Sequence, residues 1–196
     1  MRPFRRETAC VAVLDRLDVD TDQIIPKQFL KRVERTGYGD FLFFDWRKDP
    51  DFELNRPEYA DAKFLVTGRN FGCGSSREHA AWAIQQAGYD AVIAPSFGDI
   101  FRNNSLKTGL LPIQLPAEEV RALVEQYAGG GELTVDLEAQ QLATADGRTT
   151  PFEFDSFARE CILEGLDDVG LTLRREEAIT AYEETHAPRV RTTALA

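Results

Sequence analysis

The stretch Gly68-Arg-Asn-Phe-Gly-Cys-Gly-Ser-Ser-Arg-Glu-His-Ala80 gathers serines, a thiol, a guanidinium and an imidazole within thirteen residues. It follows an apolar run and precedes an alanine-rich one, so it reads as a loop between strand and helix, where α/β proteins bind ligands. Gly72 and Gly74 let the backbone come close to a neighbour or a ligand. Ser75 and Glu78 have capping-box spacing, which predicts that Ser75 caps a helix running to Ala87. Arg77, in the first turn of that helix, has the wrong sign for the helix dipole and suggests an anionic partner. A guanidinium fork suits a carboxylate. The spacing leaves an anion site and a plain capped helix equally open. His79 reads as structural. Cys73 has no basic partner nearby and reads as an inert thiol ahead of a nucleophile or ligand. Asp15, Asp18, Asp20 and Asp22 could hold a metal, although a solvated loop after a strand is the commoner setting.

The elements that must position these residues follow from periodicity and breakers. Cys10–Leu14, Lys63–Thr67, Asp90–Ala94 and Leu110–Leu115 read as strands, and Asp99–Thr108 and Ala117–Tyr127 as helices stopped by glycines. This β-loop-α repetition predicts an α/β layer of parallel strands. From Glu132 the pattern changes to short alternating strands, Glu132–Leu137, Gln141–Ala145 and Thr149–Phe154, which should extend that layer. Asp146-Gly147 marks a hairpin turn. A helix over Ser156–Glu164 and an acidic amphipathic tail from Arg174 to Glu184 follow. Pro26 predicts the start of a short helix with Phe29, Leu30 and Val33 on one face. The aromatic patch of Phe41, Phe43, Phe44 and Trp46 fits core and interface equally. Asp49 to Asp61 reads as a surface excursion.

The chain has 196 residues, enough for one domain with an appendage. At 43% hydrophobic and 29% charged it can bury a core. Its 33 acidic against 23 basic residues leave a net charge of -10, which repels nucleic acid but not a small anion held by local arginines. No apolar run is long enough for a bilayer, and the basic N-terminus has no apolar stretch behind it, so neither membrane insertion nor a signal peptide is expected. Cys10, Cys73 and Cys161 form no metal-type or disulfide pattern, as expected of reduced thiols in the cytoplasm.

Four segments in order resemble the small-subunit family of 3-isopropylmalate dehydratase, the free-standing counterpart of the aconitase swivelling domain. They are Asp20-Thr-Asp-Gln-Ile-Ile-Pro26, Asn70 to Ala80, Ser96 to Pro112 and Gly165-Leu-Asp-Asp-Val-Gly-Leu-Thr-Leu173. Gly98 and Thr108 are small departures within the third. The resemblance implies a swivelling β/β/α fold with a mostly parallel central sheet. It implies one domain over residues 1–196 and a helical tail from about residue 171. It implies a hydro-lyase subunit that turns 2-isopropylmalate into 3-isopropylmalate through isopropylmaleate in leucine biosynthesis. The partner is a large subunit that bears a [4Fe-4S] cluster, and this chain holds no cofactor or metal of its own. Homoaconitase and related substituted-malate dehydratases differ around Leu30 to Gly37, and a non-catalytic anion-binding module is the alternative of another class.

Residue by residue, the resemblance implies that Ser75 is the base and that Arg77 clamps a substrate carboxylate. Ser76 donates to the substrate, and Thr21 and Asp22 form an active-site pair in which Asp22 orients groups. Leu30 and Val33 line the pocket for the substrate's apolar branch, beside which Arg32 or Arg35 could reach a carboxylate.

Overall fold

Nine residues of extended chain, Arg6–Leu14, form β1, and this strand joins two kinds of sheet. Val11 to Leu14 pair in parallel with β2 (Phe64–Thr67), while Arg6 to Cys10 pair antiparallel with β5 (Glu132–Asp136). With β3 (Ala91–Ala94), β4 (Leu111–Gln114), β6 (Gln141–Thr144) and β7 (Thr149–Pro151), the strand order is β4-β3-β2-β1-β5-β6-β7. β1 to β4 are parallel, as the β-loop-α pattern predicts. β5 to β7 extend the sheet as an antiparallel meander. This computed structural model describes residues 1–186 except Val33 and Ser76.

Every residue of β2 and β3 is buried, so both faces of the parallel half are covered. The helices are α1 (Thr21–Ile24), α2 (Glu78–Gln86), α3 (Asp99–Thr108), α4 (Ala117–Tyr127), α5 (Ser156–Glu164), α6 (Asp168–Leu173) and α7 (Glu176–Thr185). α2 and α3 carry the chain from β2 to β3 and from β3 to β4 and pack on each other, while α4 packs across β1, β2 and β3. α3 stops at Gly109 and α5 at Gly165, both in the left-handed conformation that glycine adopts most easily.

Three local expectations differ from the structure. Asp49 to Asp61 is no mere surface excursion: Phe52, Leu54 and Tyr59 are buried, and the Tyr59 hydroxyl donates to the Ala128 carbonyl at 2.8 Å. The prolines and acids of that stretch remain outside while three large side chains reach the core. The segment after Pro26 is a 3-10 turn, Lys27–Lys31, with Phe29 stacked on Phe41 at 4.0 Å. Leu30 is half-buried within it, and Val33 lies outside the described residues. The aromatic patch is split between core and rim, with Phe43 fully buried against Trp46 and Phe52.

Candidate active site

The loops after β1, β2 and β3 all leave the carboxyl edge of the parallel strands, and backbone hydrogen bonds zip them together. Asp18 N–H donates to the Arg69 carbonyl, Gly72 N–H to that of Val19 and Thr21 N–H to that of Cys73, at 2.8–3.0 Å. Phe71 N–H donates to the Ser96 carbonyl and Gly98 N–H to that of Phe71, at 3.1 and 2.9 Å. Asp18 and Asn70 both adopt positive φ, and Asn70 Nδ2 donates to Asp18 Oδ1 at 2.8 Å across the first two loops. Asn and Asp tolerate this conformation because their short side chains bond locally.

Packing explains two of the glycines. A Cβ on Gly72, whose φ is +73°, would stand 2.2 Å from Cγ of Phe101, and one on Gly98 would stand 2.5 Å from the Gly72 carbonyl oxygen. The close approach predicted at Gly72 is therefore to an aromatic ring of α3. At Gly98 only glycine fits without moving backbone.

α1 is too short to show a helical period, and its signal lies in Asp20-Thr-Asp-Gln23. Asp20 accepts from the N–H groups of Asp22 and Gln23, and Gln23 Oε1 accepts from Asp20 N–H at 2.8 Å, a complete capping box. The box fixes Thr21 and Asp22 against the second loop. Thr21 is buried and its hydroxyl donates to the Ser75 carbonyl at 3.2 Å, so it holds the Ser75 backbone from below.

α2 begins at Glu78, two residues later than capping-box spacing predicts. Its N-cap is Arg77, which makes no side-chain cap bond. Thr21 N–H donates to the Cys73 carbonyl and its hydroxyl to that of Ser75, so the chain bends at Gly74 and Ser75 on ties to α1 that override the local signal. Among the described residues no side chain caps the first amides of α2, and the positive end of the helix dipole lies behind them. Ser75 is exposed just ahead of that end, and no described residue bonds its hydroxyl. Ser76 lies outside the described residues.

Arg77 and Asp22 are brought together as a two-pronged ion pair. Nη1 donates to Oδ1 at 2.5 Å and Nη2 to Oδ2 at 3.1 Å. The guanidinium is 17% exposed and the carboxylate 53%, so the fork is fixed and the acid remains open to solvent. Ser75, Arg77, Thr21 and Asp22 thus form one site, while Leu30 sits on the next turn of chain.

Burial, then the charges of Asp20 and Asp18, push the Cys73 thiol up, which suits an inert thiol. Burial pushes the His79 imidazole down, keeping it neutral at pH 7 between the rings of Tyr38 and Trp82 at 5.2 and 4.8 Å. Among the described residues no group of three or more His, Cys, Asp or Glu side chains is gathered as a metal ion would need, and no helix is long and apolar enough to cross a membrane. The described side chains of this chain do not make a site for an iron–sulfur cluster.

A parallel α/β sheet continued by an antiparallel meander, with its polar site on zipped carboxyl-edge loops, defines an aconitase-type swivelling domain. The aconitase C-terminal domain profile matches residues 1–118. Two further profiles match, one described as LeuD_N over residues 118–156, the other the C-terminal domain of the 3-isopropylmalate dehydratase small subunit over residues 168–189. The 3-isopropylmalate dehydratase small subunit of Acidobacterium capsulatum is 55% identical over 188 residues, covering 95% of this chain and 91% of its own. That of Halalkalibacterium halodurans is 56% identical over 190 residues, covering 93% and 98%. The crystal structure of 3-isopropylmalate dehydratase (leuD) from Methanocaldococcus jannaschii superposes with a TM-score of 0.69 at 27% identity, covering 90% of this chain and 99% of that one. The chain belongs to the 3-isopropylmalate dehydratase small-subunit family.

Proposed function

We propose that this chain, as one swivelling unit over residues 1–196 with a helical tail from about residue 171, supplies half of the active site of a cytoplasmic hydro-lyase. The enzyme interconverts 2-isopropylmalate and 3-isopropylmalate through isopropylmaleate. A large subunit supplies the other half and bears a [4Fe-4S] cluster, whose chemistry is to draw off the substrate hydroxyl.

The observation that carries this reading is the fixed Arg77 fork beside Ser75 at the open N-terminus of α2. A serine hydroxyl is a very weak base in water. At this position helix amides and a guanidinium stabilise its alkoxide, which takes the proton from the carbon next to a substrate carboxylate. Asp22 uses two of the five N–H donors of Arg77 and sets its plane, leaving the remaining donors for that carboxylate. Thr21 holds the Ser75 backbone. Ser76 donates to the same carboxylate, and Leu30 and Val33 receive the isopropyl group. The proton that leaves with Ser75 returns when water adds back at the neighbouring carbon.

The test is to mix the chain with a cluster-bearing large subunit and follow hydration of isopropylmaleate. Turnover that needs both chains supports the proposal. A complex that forms and binds isopropylmalate without turning it over would reduce this chain to an anion-binding module.

A further inference from the structure

His79, Trp82 and Gln86 occupy positions i, i+3 and i+7 of α2 and therefore share one face. The end of the Leu30–Gly37 segment and the residues just after it are seated on that face. Tyr38 is fully buried with its ring 5.2 Å from His79 and 5.7 Å from Trp82. The Arg35 guanidinium lies 5.9 Å over Trp82, and that of Arg32 lies 5.2 Å over Phe41. Gln86 closes the seat from the last position of the helix. Its Oε1 accepts from Tyr38 N–H at 2.9 Å, and its Nε2 donates to the Arg35 carbonyl at 2.8 Å. Glutamine suits this place because it offers an acceptor and a donor from one rigid amide, and only one orientation satisfies both. Next to it, a Cβ on Gly39 would stand 2.5 Å from the Gln86 carbonyl oxygen, so the chain meets the end of α2 in backbone contact.

The other end of α2 carries Arg77 as its N-cap. A helix is stiff, and nine residues span about 13–14 Å at 1.5 Å each. One rigid rod therefore holds the carboxylate fork at one end and the loop's anchor at the other. We propose that Gln86 is a positioning residue for substrate choice, and that α2 is a ruler setting the distance from the Arg77 fork to the pocket for the substrate's apolar branch. This inference rests on the reading that Leu30 to Gly37 receives that branch. Gln86 touches no substrate and acts through the loop backbone that it pins.

The experiment uses the assembled two-subunit enzyme and two malates that differ only in the branch, isopropyl or methyl. Gln86→Leu removes both hydrogen bonds and Gln86→Glu removes only the donor. With Gln86→Leu, KM for the isopropyl substrate should rise about tenfold, equivalent to about 1.4 kcal/mol. kcat, and both constants for the methyl substrate, should stay within about twofold, because only the larger branch reaches the pocket walls. Gln86→Glu should fall between wild type and Gln86→Leu. Amide exchange at Tyr38, read on the same complexes, should quicken with Gln86→Leu, which removes the acceptor of that N–H, and change least with Gln86→Glu, which keeps it. Unchanged exchange at Tyr38 overturns the clamp. Faster exchange with an unchanged preference between the two malates overturns its role in substrate choice. A wild-type complex inert to both malates sinks the functional reading and, with it, the inference about substrate choice, while the exchange measurement still reports separately on the clamp.

Discussion

Arg77 is a fork whose plane is already set. Lysine in its place could meet the Asp22 charge but could not present two parallel donors to Asp22 and others to a substrate at once. We expect Arg77→Lys to lower kcat/KM for isopropylmalate at least about a hundredfold, the loss seen when a fixed donor leaves a polar active site. Ser75→Ala should cost about 10²–10⁴-fold in kcat, the range of a positioned proton-transfer group. Because Ser75 is exposed and its hydroxyl bonds no described residue, the same change should leave assembly with the partner intact. Steady-state kinetics beside gel filtration separate the two effects, and near-wild-type turnover in either variant would overturn the role given to that residue. Cys73 offers a pH test. Its thiol is pushed up by burial and by Asp20 and Asp18, so the thiolate appears only at higher pH than for a free cysteine. Labelling of Cys73 should be slow at neutral pH and should accelerate with pH later than labelling of a model thiol.

Loops make the site, and the glycines at their crossing points decide their register. Gly98→Ala places a methyl group against the Gly72 carbonyl, so backbone must shift in two loops at once. We expect a loss of about 1–3 kcal/mol, the usual cost of overpacking, measured by denaturant unfolding. Activity should fall further than stability, because the strained loops are those that hold Ser75 and Arg77. How far the elements can be read from sequence depends on where their signals come from. α3, α4 and α5 begin and end where helical periodicity and stop glycines place them, because nothing tertiary contests those signals. α2 carries a capping-box signature that is overridden by bonds from Thr21, some fifty residues earlier in the chain. α1 escapes a reading by periodicity because four residues are too few to show a period, although its cap is complete. Of the site, the types and spacing of Ser75 and Arg77 are legible. The pairing of Arg77 with Asp22 is not legible, since it joins residues 55 positions apart and the resemblance pairs Asp22 with Thr21 instead. Gln86 leaves no signal at all, since a glutamine at a helix end is ordinary.

Across the whole molecule, the tail is the part least tied to the core. α7 buries no residue, and Val169, Leu173 and Tyr182 are exposed large side chains along α6 and α7. Removing the chain after Arg175 keeps the ion pair between Arg174 and Glu160 and should change the unfolding free energy by no more than about 0.5 kcal/mol, as for surface changes generally. Thermal melts of the isolated chain check this. A much larger loss would mean that α7 is part of the fold.

β1 also has a history during synthesis. Its first half waits for a mate: Thr8 pairs with Thr134, which lies 126 residues further along the chain. At about 5–20 residues per second, a ribosome needs about 6–25 s to deliver that partner. During that interval the nascent segment Arg6 to Cys10 shows a bare strand edge, open to any other emerging chain. Arg5, Arg6 and Glu7 crowd the exposed end of that edge with charge, which is how soluble proteins discourage edge-to-edge growth. In the finished fold the same three residues make ion pairs at a largely exposed rim, Arg5 with Glu138, Arg6 with Asp136 and Glu7 with Lys63, of the kind that adds little to stability. Replacing them with apolar residues would cost yield through aggregation at the ribosome while leaving the melting point of whatever folded almost untouched.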